Sequence, residues 1–276
     1  MSGSATPRPR AHAAAEPLIR AGSGARMSLA AQRRDWDELA ELDPYWAVCS
    51  TPGTRFGGWD PAAFFATGEL EVATVLAEAE RLGVPRGRVE ALDFGCGLGR
   101  LTRALGERFE RSVGVDISPR MVDRARELTP VPGVEFRVNS GADLGQFEDG
   151  RFDLVLSSIV LQHVSRRAWI GAYLREFVRV LKPGGAIVFT LPSHIPLVFR
   201  AQWRRRLYRA LRRLGGTADT VYRRLRLQPI AMSFLDEATV TATLQGAGAR
   251  VLQAQTWGAT GIANSGVRST RYVATR

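Results

Sequence analysis

The residues best suited to chemistry form a glycine-rich segment, Asp93–Gly99, which reads DFGCGLG and follows a short apolar run. Three glycines at alternate positions permit positive φ angles and let a ligand approach bare backbone at the carboxyl edge of a sheet. A dinucleotide fingerprint fails in both frames, because Arg100 and Thr102 occupy the third glycine position. Asp93 adds negative charge beside the loop, which favours a ligand with ammonium and sulfonium groups over a phosphate.

Asp116 is the second candidate, and it lies at the end of the next apolar run, VGVDI. A carboxylate at the end of a parallel strand can accept hydrogen bonds from both hydroxyls of a ribose. The alternative is a helix N-cap, a role for which Ser118 before Pro119 is better placed. The sequence therefore predicts a nucleoside-binding carboxylate at position 116.

Short apolar runs alternate with helical patterns over the part of the chain that carries these residues. Strands are predicted at 89–94, 112–117, 134–138, 152–157 and 186–191, and helices at 100–109, 119–128 and 166–181, with a turn at 182–185. This alternation predicts a doubly wound, mostly parallel α/β sheet. A helix near 236–245 and two further strands, 249–257 and 268–275, follow, and those strands are predicted to pair antiparallel at the sheet edge.

Five segments are predicted along the chain. Residues 1–27, rich in Ala, Pro, Gly and Arg, lack the apolar centre of a signal peptide and are predicted to be a disordered tail. Residues 28–88 form an N-terminal helical cap and 89–195 the cofactor-binding core. Residues 196–232 form a basic helical insertion after strand five, and 233–276 complete the core sheet.

The net charge of +11 is concentrated in two places. Residues 200–226 contain ten arginines and one acid, and the tail contains four arginines and one glutamate. No stretch reaches the roughly 18 to 20 apolar residues of a membrane helix. Cys49 and Cys96 are far apart in the sequence, which argues against a disulfide framework or a cysteine metal site and predicts a cytoplasmic location.

Four segments together resemble class I S-adenosylmethionine-dependent methyltransferases: LDFGCGLGRLT, GVDIS, FDLVLSSIVLQHV and LKPGGAIVFT, within residues 89–191. The resemblance implies the fold and the cofactor S-adenosyl-L-methionine. It implies that the three loop glycines line the methionine moiety, that Asp116 holds the ribose, and that Ile117 and Met121 pack on the adenine.

The resemblance also implies that the loop after strand three closes over the adenine. Many relatives carry Gly-Asp-Ala there, whereas residues 139–144 of this chain read NSGADL. The predicted cofactor-binding set is therefore Asp93, Gly95, Gly97, Gly99, Asp116, Ile117, Met121, Ala142, Asp143, Leu144 and Ser157, and no metal ligands are predicted.

His163, after strand four, is the candidate catalytic residue, as a general base facing the acceptor. The alternative is a histidine that fixes the local turn, and His194 after strand five has the same two interpretations. No (D/N)PP(Y/F) motif follows strand four, which excludes the familiar amino-methylating nucleic-acid enzymes. Neither cysteine is suited to pyrimidine C5 chemistry, which needs a thiolate.

Two further segments are predicted to shape the acceptor pocket. The cap concentrates aromatic residues, which either pack the cap on the sheet or contact the acceptor: Tyr45, Trp46, Phe56, Trp59, Phe64 and Phe65. In the insertion, apolar residues recur at helical spacing among arginines: Trp203, Leu207, Leu211 and Leu214. This amphipathic pattern predicts a lid helix whose apolar stripe packs on the domain, with an anionic acceptor, a membrane surface or RNA as alternative partners.

The predicted function is O- or N-methylation of a small-molecule acceptor, either a natural product, a sugar or a lipid-linked compound. A methyltransferase acting on RNA or another polyanion through the Arg200–Arg226 segment is the first alternative. A cofactor-binding protein without turnover is the second. The sequence does not predict the oligomeric state.

Overall fold

The computed structural model describes residues 28–258 and 266–276. The helices are α1 (Leu29–Leu42), α2 (Pro44–Val48), α3 (Pro61–Arg81), α4 (Arg100–Gly106), α5 (Pro119–Leu128), α6 (Arg167–Val180), α7 (Leu197–Arg200), α8 (Trp203–Arg213), α9 (Ala218–Arg223) and α10 (Glu237–Gly246). The strands are β1 (Glu90–Phe94), β2 (Arg111–Asp116), β3 (Val134–Val138), β4 (Phe152–Ser157), β5 (Leu181–His194), β6 (Arg250–Gly258) and β7 (Arg268–Thr275).

The seven strands form one sheet in the order β3-β2-β1-β4-β5-β7-β6. The pairs from β3 to β5 are parallel, and β7 pairs antiparallel with both β5 and β6. The predicted doubly wound, mostly parallel sheet is confirmed, as is the antiparallel pairing of the last two strands. The order reverses between β1 and β4, and ligands bind at such a switch point in open α/β sheets.

Both faces of the sheet are covered, which explains why its central strands are apolar throughout. Every residue of β1 and β4 is buried. Consecutive residues point to opposite faces, so Leu92 packs in the cluster that contains α6 and α10, and Ala91 in the cluster that contains α3 and α4. Parallel strands buried on two sides lack the polar alternation of a half-exposed strand.

Three predicted boundaries are wrong, the third being the end of β5, which lies at His194 instead of 191. Helix α4 ends at Gly106 instead of 109, and β5 begins at Leu181, so residues 182–185 belong to the strand. The register between β4 and β5 shifts at Phe152 and Leu154. Gly184 has a φ of +76° there, its N–H donates to the carbonyl of Arg276, and its own carbonyl accepts from Arg86. These hydrogen bonds keep the irregular segment in the sheet.

The aromatic residues of the cap pack the cap on the core, as the first interpretation predicted. All six belong to one apolar cluster, which also contains Leu39, Leu98, Met121 and Tyr222. The ring of Tyr45 meets Phe64 edge-on, with 4.9 Å between their centroids. The cap is therefore attached to the sheet through its own aromatic core.

The basic insertion is confirmed as helical, but the predicted packing of its apolar stripe is wrong for three of the four residues. Leu211 packs inward as predicted, against the cluster of Tyr208, Val221 and Leu227. Trp203, Leu207 and Leu214 are 54%, 43% and 83% exposed. The opposite face of α8 packs inward instead: Tyr208 is buried, and Arg209 lies 2.7 Å from Asp35 of α1. Arginines at spacings of three and four share that inner face with Tyr208, and α1 presents two carboxylates to them. The inner face is thus buried both by ion pairs with α1 and by the packing of Tyr208 and Leu211 with Val221 and Leu227.

The division into five segments stays a prediction, and the predicted tail, residues 1–27, lies outside the described residues, as does part of the loop between β6 and β7. None of the helices within 28–258 is both long and apolar enough to cross a lipid bilayer.

Candidate functional site

A cleft opens at the carboxyl ends of β1, β2 and β4, at the point where the strand order reverses. Its lining comes from the glycine loop, from the start of α5, from the segment after β4 and from the helices of the cap. The lining residues include Gln32, Trp36, Val48, Asp93, Gly95, Gly97, Arg100, Asp116, Ile117, Met121, Asn139, Ile159, Val160, His163, Val164 and Tyr173. Seven of the predicted site residues therefore meet in this cleft: Asp93, Gly95, Gly97, Asp116, Ile117, Met121 and His163.

The glycine loop presents bare backbone to the cleft. Gly95 has a φ of +82°, and a Cβ atom placed there would lie 2.3 Å from a methyl carbon of Val160. Its N–H donates to the carbonyl of Val115 across 2.7 Å, which fixes the loop to β2. A side chain at position 95 would therefore both strain the backbone and fill the cleft.

Asp116 projects from the end of β2 into the cleft. Its Oδ1 accepts from the N–H of Ser118 at 2.8 Å, and its Oδ2 accepts from the N–H of Gly97 at 3.0 Å. Burial raises the pKa of Asp116 to about 6, although these backbone donors lower it. Ser118 caps α5 by accepting from the N–H of Met121, as predicted, so the carboxylate of Asp116 is not used as a cap.

Asp93 is a second buried carboxyl in the same cleft. Its Oδ2 accepts from the hydroxyl of Thr102 at 2.6 Å. Burial raises its pKa to about 7, and the charge of Asp116 adds to this rise. Two desolvated acids, each with few compensating donors, create a site whose electrostatics favour a cationic ligand.

Arg100, directly after the third glycine, is a site residue that the sequence analysis used only to reject a dinucleotide site. The residue is 4% exposed, and its Nη2 lies 2.8 Å from Oε2 of Glu71. Its Nε is buried and has no hydrogen-bond partner among the described residues. A buried guanidinium with an unused donor can bind a ligand carboxylate. The signal in the sequence is weak, because Arg100 directly follows the third glycine but α4 also carries Thr102 and Arg103.

The loop after β3 lines the cleft with Asn139 and not with the predicted residues Ala142, Asp143 and Leu144. The side chain of Leu144 is fully buried in the main core, and its N–H donates to Glu176. Asp143 accepts from the N–H of Gly145. Ala142, Asp143, Leu144, Gly99 and Ser157 are all outside the lining of the cleft, and their contact with a cofactor stays a prediction.

His163 lies in a short 3-10 helix, Leu161–His163, with its ring in the cleft. Its Nδ1 is 2.9 Å from the carbonyl oxygen of Ala231, so Nδ1 carries the proton and donates. Its Nε2 is then an acceptor, and the side-chain nitrogen of Gln162 lies 3.2 Å away. Burial lowers the pKa of His163, so the ring is neutral near pH 7. The ring of Trp36 covers it, with 5.5 Å between centroids.

The histidine fixes a turn through Nδ1, and the lone pair of its Nε2 is engaged by the side-chain nitrogen of Gln162. It can act as a base only when that contact opens. The catalytic role stays a prediction. His194 ends β5 opposite Arg268 and is not among the residues that line the cleft.

Residues 92–189 match the family model for a methyltransferase domain. Over 156 residues the chain is 34% identical to 2-methyl-6-phytyl-1,4-hydroquinone methyltransferase of Synechocystis, an alignment covering 55% of this chain and 47% of the relative. It is 33% identical over 123 residues to ubiquinone biosynthesis O-methyltransferase of Xanthomonas campestris, which covers 44% and 49% of the two chains. The chain thus spans about half the length of these curated relatives.

The fold is shared with solved structures of low sequence identity. Magnesium protoporphyrin IX methyltransferase of Synechocystis, solved with S-adenosylhomocysteine, has a TM-score of 0.55 and 18% identity, covering 88% of this chain and 97% of that one. An N-methyltransferase of Bradyrhizobium japonicum, solved with the same ligand, has a TM-score of 0.54 and 17% identity, covering 89% and 98%. The predicted resemblance is confirmed: residues 92–189 match the methyltransferase-domain model, and the chain shares its fold with these two solved methyltransferases.

Proposed function

We propose that this chain transfers a methyl group from S-adenosyl-L-methionine to a small-molecule acceptor. The observation that carries the proposal is the pair of buried carboxyls, Asp93 and Asp116, beside a loop of bare backbone at the switch point of the sheet. Burial raises the pKa of both carboxyls because their ionised forms are desolvated. A bound cation would stabilise those ionised forms, whereas a phosphate would be repelled by them. The matching methyltransferase-domain model supports the same conclusion.

The residues of the cleft fit each part of this cofactor. Asp116 would accept from the ribose hydroxyls, and Ile117 with Met121 would pack on the adenine. Asp93 would attract the ammonium group, and Arg100 would bind the carboxylate through its unused Nε. When bound, the cofactor supplies an electrophilic methyl group on a sulfonium sulphur, and the protein's main task is to position the acceptor in line with it.

For the acceptor we propose a hydroxyl group on a lipophilic molecule, with His163 as the general base. The acceptor hydroxyl would replace the side-chain nitrogen of Gln162 at Nε2 of His163, and Nε2 would take the hydroxyl proton as the oxygen attacks. The bond from Nδ1 to the carbonyl of Ala231 would hold the ring and stabilise its charged form. The surrounding side chains of Trp36, Ile159 and Val164 are apolar. The similarity to a 2-methyl-6-phytyl-1,4-hydroquinone methyltransferase and to a ubiquinone biosynthesis O-methyltransferase supports this acceptor class.

We also place the chain in the reducing cytoplasm. Both cysteines are unpaired, and Cys96 is buried. Burial raises the pKa of the Cys96 thiol far above its ordinary value, so this cysteine stays protonated and unreactive.

The cofactor proposal is tested by thermal unfolding with S-adenosylmethionine or S-adenosylhomocysteine. A ligand at a hundredfold excess over its Kd adds about 2.7 kcal/mol to the free energy of unfolding. Asp116→Asn should lose most of this gain, whereas Asp123→Asn, at an exposed position of α5, should keep it. No stabilisation by either ligand, or a larger one by NAD, would contradict the proposal.

Turnover separates an enzyme from a protein that only binds the cofactor. We expect phenolic and hydroquinone acceptors to gain one methyl group in the presence of S-adenosylmethionine, as measured by mass spectrometry. Binding of the cofactor without any methylated product across hydroxyl and amine acceptors would favour the binding protein instead.

A further inference from the structure

An apolar stripe runs along the outer surface of α8. It consists of Trp203, Leu207, Ala210 and Leu214, spaced by four, three and four residues, which places them on one side of a helix. All four are exposed, and Trp203, Leu207 and Leu214 are 54%, 43% and 83% exposed. Leu197 and Val198 of the preceding helix are also exposed. Large apolar side chains concentrated this way on a surface mark an interaction site.

Arginines border this outer stripe on both sides. At 100° per residue, Arg204 lies on one side of the stripe, and Arg206 and Arg213 lie on the other. All three are exposed. The inner face of α8 is different, because Arg209 and Arg212 pair there with Asp35 and Glu38. The most exposed arginines of α8 therefore lie beside the apolar stripe.

We propose that the outer stripe of α8 docks on an anionic phospholipid bilayer. An amphipathic helix with an apolar stripe between arginines lies in the membrane interface, with its apolar side chains among the acyl chains and its cations at the headgroups. RNA would use the arginines but would leave Trp203 and Leu207 exposed to water. A second copy of α8 would bring arginines against arginines.

The N-terminal tail of the same chain is the remaining candidate partner for the outer stripe of α8. The positive charge of the tail argues against this pairing. The tail contains Arg8, Arg10, Arg20 and Arg26 with only Glu16 to offset them. The bordering arginines of the stripe would repel it. A bilayer containing anionic lipids matches both the apolar and the cationic part of this surface.

The docking surface is connected to the cleft through one short segment. Arg205 of α8 donates to the carbonyl of Pro229 at 2.7 Å, and Gln202 donates to the carbonyl of Met232 at 2.9 Å. Ala231 lies between Pro229 and Met232, and its carbonyl accepts the hydrogen bond of His163. A bilayer docked on α8 would thus lie next to the segment that contacts His163, which suits delivery of a lipid-linked acceptor. Only this last step rests on the proposed function, because docking itself requires neither cofactor nor turnover.

The test is flotation of the full-length chain with vesicles of phosphatidylcholine alone or mixed with phosphatidylglycerol. We expect binding only when phosphatidylglycerol is present. Trp203→Gln with Leu207→Gln and Leu214→Gln keeps helix propensity and should lower the partition coefficient about a hundredfold, since three apolar side chains lose their insertion. Arg206→Gln with Arg213→Gln should lower it by about tenfold or more.

Control variants make substitutions of the same type at exposed positions outside α8. Leu70→Gln removes a leucine that is 72% exposed on α3, and Arg81→Gln with Arg124→Gln removes two exposed arginines from α3 and α5. Both controls should bind vesicles like the parent. Circular dichroism and thermal unfolding establish that every variant is folded.

Four results would overturn the proposal. The parent fails to float with anionic vesicles, or the triple glutamine variant floats as well as the parent, which would assign binding to the tail. Alternatively, sedimentation shows a dimer of the parent that the triple variant loses. Binding of polyuridylate that depends on Arg206 and Arg213 but not on Trp203 would likewise assign the surface to RNA and contradict membrane docking.

Discussion

The backbone N–H of Gly97 donates to Oδ2 of Asp116 across 3.0 Å, so the carboxylate that ends β2 holds the glycine loop that follows β1. The second oxygen of the same carboxylate accepts from the N–H of Ser118, at the start of α5. One buried acid thus links the loop, the strand and the helix that form the cleft. Its protonation state therefore affects both the stability of the empty cleft and its affinity for a cation.

Replacing Asp116 by Asn should separate stability from binding. The folded-state pKa of about 6 lies above the ordinary value of 3.8, so the native state holds the proton more tightly than the unfolded chain. The ionised carboxyl consequently destabilises the ligand-free protein as pH rises from about 4 to about 7, by about 3 kcal/mol at most. We expect ligand-free Asp116→Asn to melt at or above the parent temperature at pH 8, with the difference vanishing below pH 4. A variant that melts well below the parent at pH 8 would show that the carboxylate stabilises the cleft.

Cofactor affinity should fall as the solution is acidified through the pKa values of the two cleft acids, about 7 for Asp93 and about 6 for Asp116. Thr102→Val removes the hydroxyl that lowers the pKa of Asp93, so the fall should begin at a higher pH, with a loss of about 1 kcal/mol of binding near pH 7. Calorimetric titration with S-adenosylhomocysteine measures both effects. Thr74→Val, at an exposed position of α3, is the matched control. An affinity that is independent of pH would argue against a cationic contact with these acids.

His163→Asn distinguishes a base from a residue that only fixes the turn. An Asn amide can still donate toward the carbonyl of Ala231 but cannot accept a proton. If His163 is the base, turnover on a hydroxyl acceptor should fall by about 10² to 10⁴ while cofactor binding is retained. The pH profile of kcat/KM in the parent should rise through a pKa below 6.5, because burial lowers that of His163, and this limb should be absent in the variant. His194→Asn is the control. Full activity of His163→Asn would show that His163 only fixes the turn.

The inner arginines of α8 should contribute to stability more than the outer ones. Arg209→Gln removes a cation that lies 2.7 Å from Asp35, a carboxyl that is 19% exposed. Burial raises the pKa of Asp35, and Arg209 and Arg205 lower it, so the variant leaves a partly desolvated acid with less compensation. We expect the free energy of unfolding, measured in urea, to fall by about 2 kcal/mol. This loss lies between those typical of exposed and of buried ion pairs. Arg213→Gln, on the outer side, should change stability by less than about 0.5 kcal/mol. Equal effects would mean that the pairing across α1 and α8 contributes little.

The parallel core could be predicted because each of its elements is encoded locally. The apolar run of β1 ends in Asp93, three glycines turn the chain, and Asp116 ends the next run in the same way. The packing of helix α8 could not be predicted as well, because its sequence pattern alone does not indicate which face of the helix is buried. The face that carries Arg209 is buried because Tyr208 and Leu211 pack with Val221 and Leu227. It is also paired with α1, about 170 residues earlier in the sequence, which presents Asp35 and Glu38. No local rule places those carboxylates opposite these arginines.

The residues of the site also divide into those that local sequence predicts and those that long-range packing places. Gly95, Gly97 and Asp116 follow from their positions at strand ends, which all meet at one edge of the sheet. Trp36 and Val48 enter the cleft from the cap, and that contact depends on how the aromatic cluster docks. The loop after β3 contributes Asn139, whereas Leu144 is part of the core, since the loop is anchored there by Glu176.

The position of β7 within the sheet has a consequence for how the protein is synthesised. Strand β7 pairs on one side with β5 and on the other with β6, although β6 precedes it in the chain. On the ribosome β6 therefore emerges before the strand that it pairs with, and its backbone donors and acceptors have no sheet partner until residues 268–275 leave the exit tunnel. The five parallel strands can assemble co-translationally, whereas the two antiparallel strands must be added last and together.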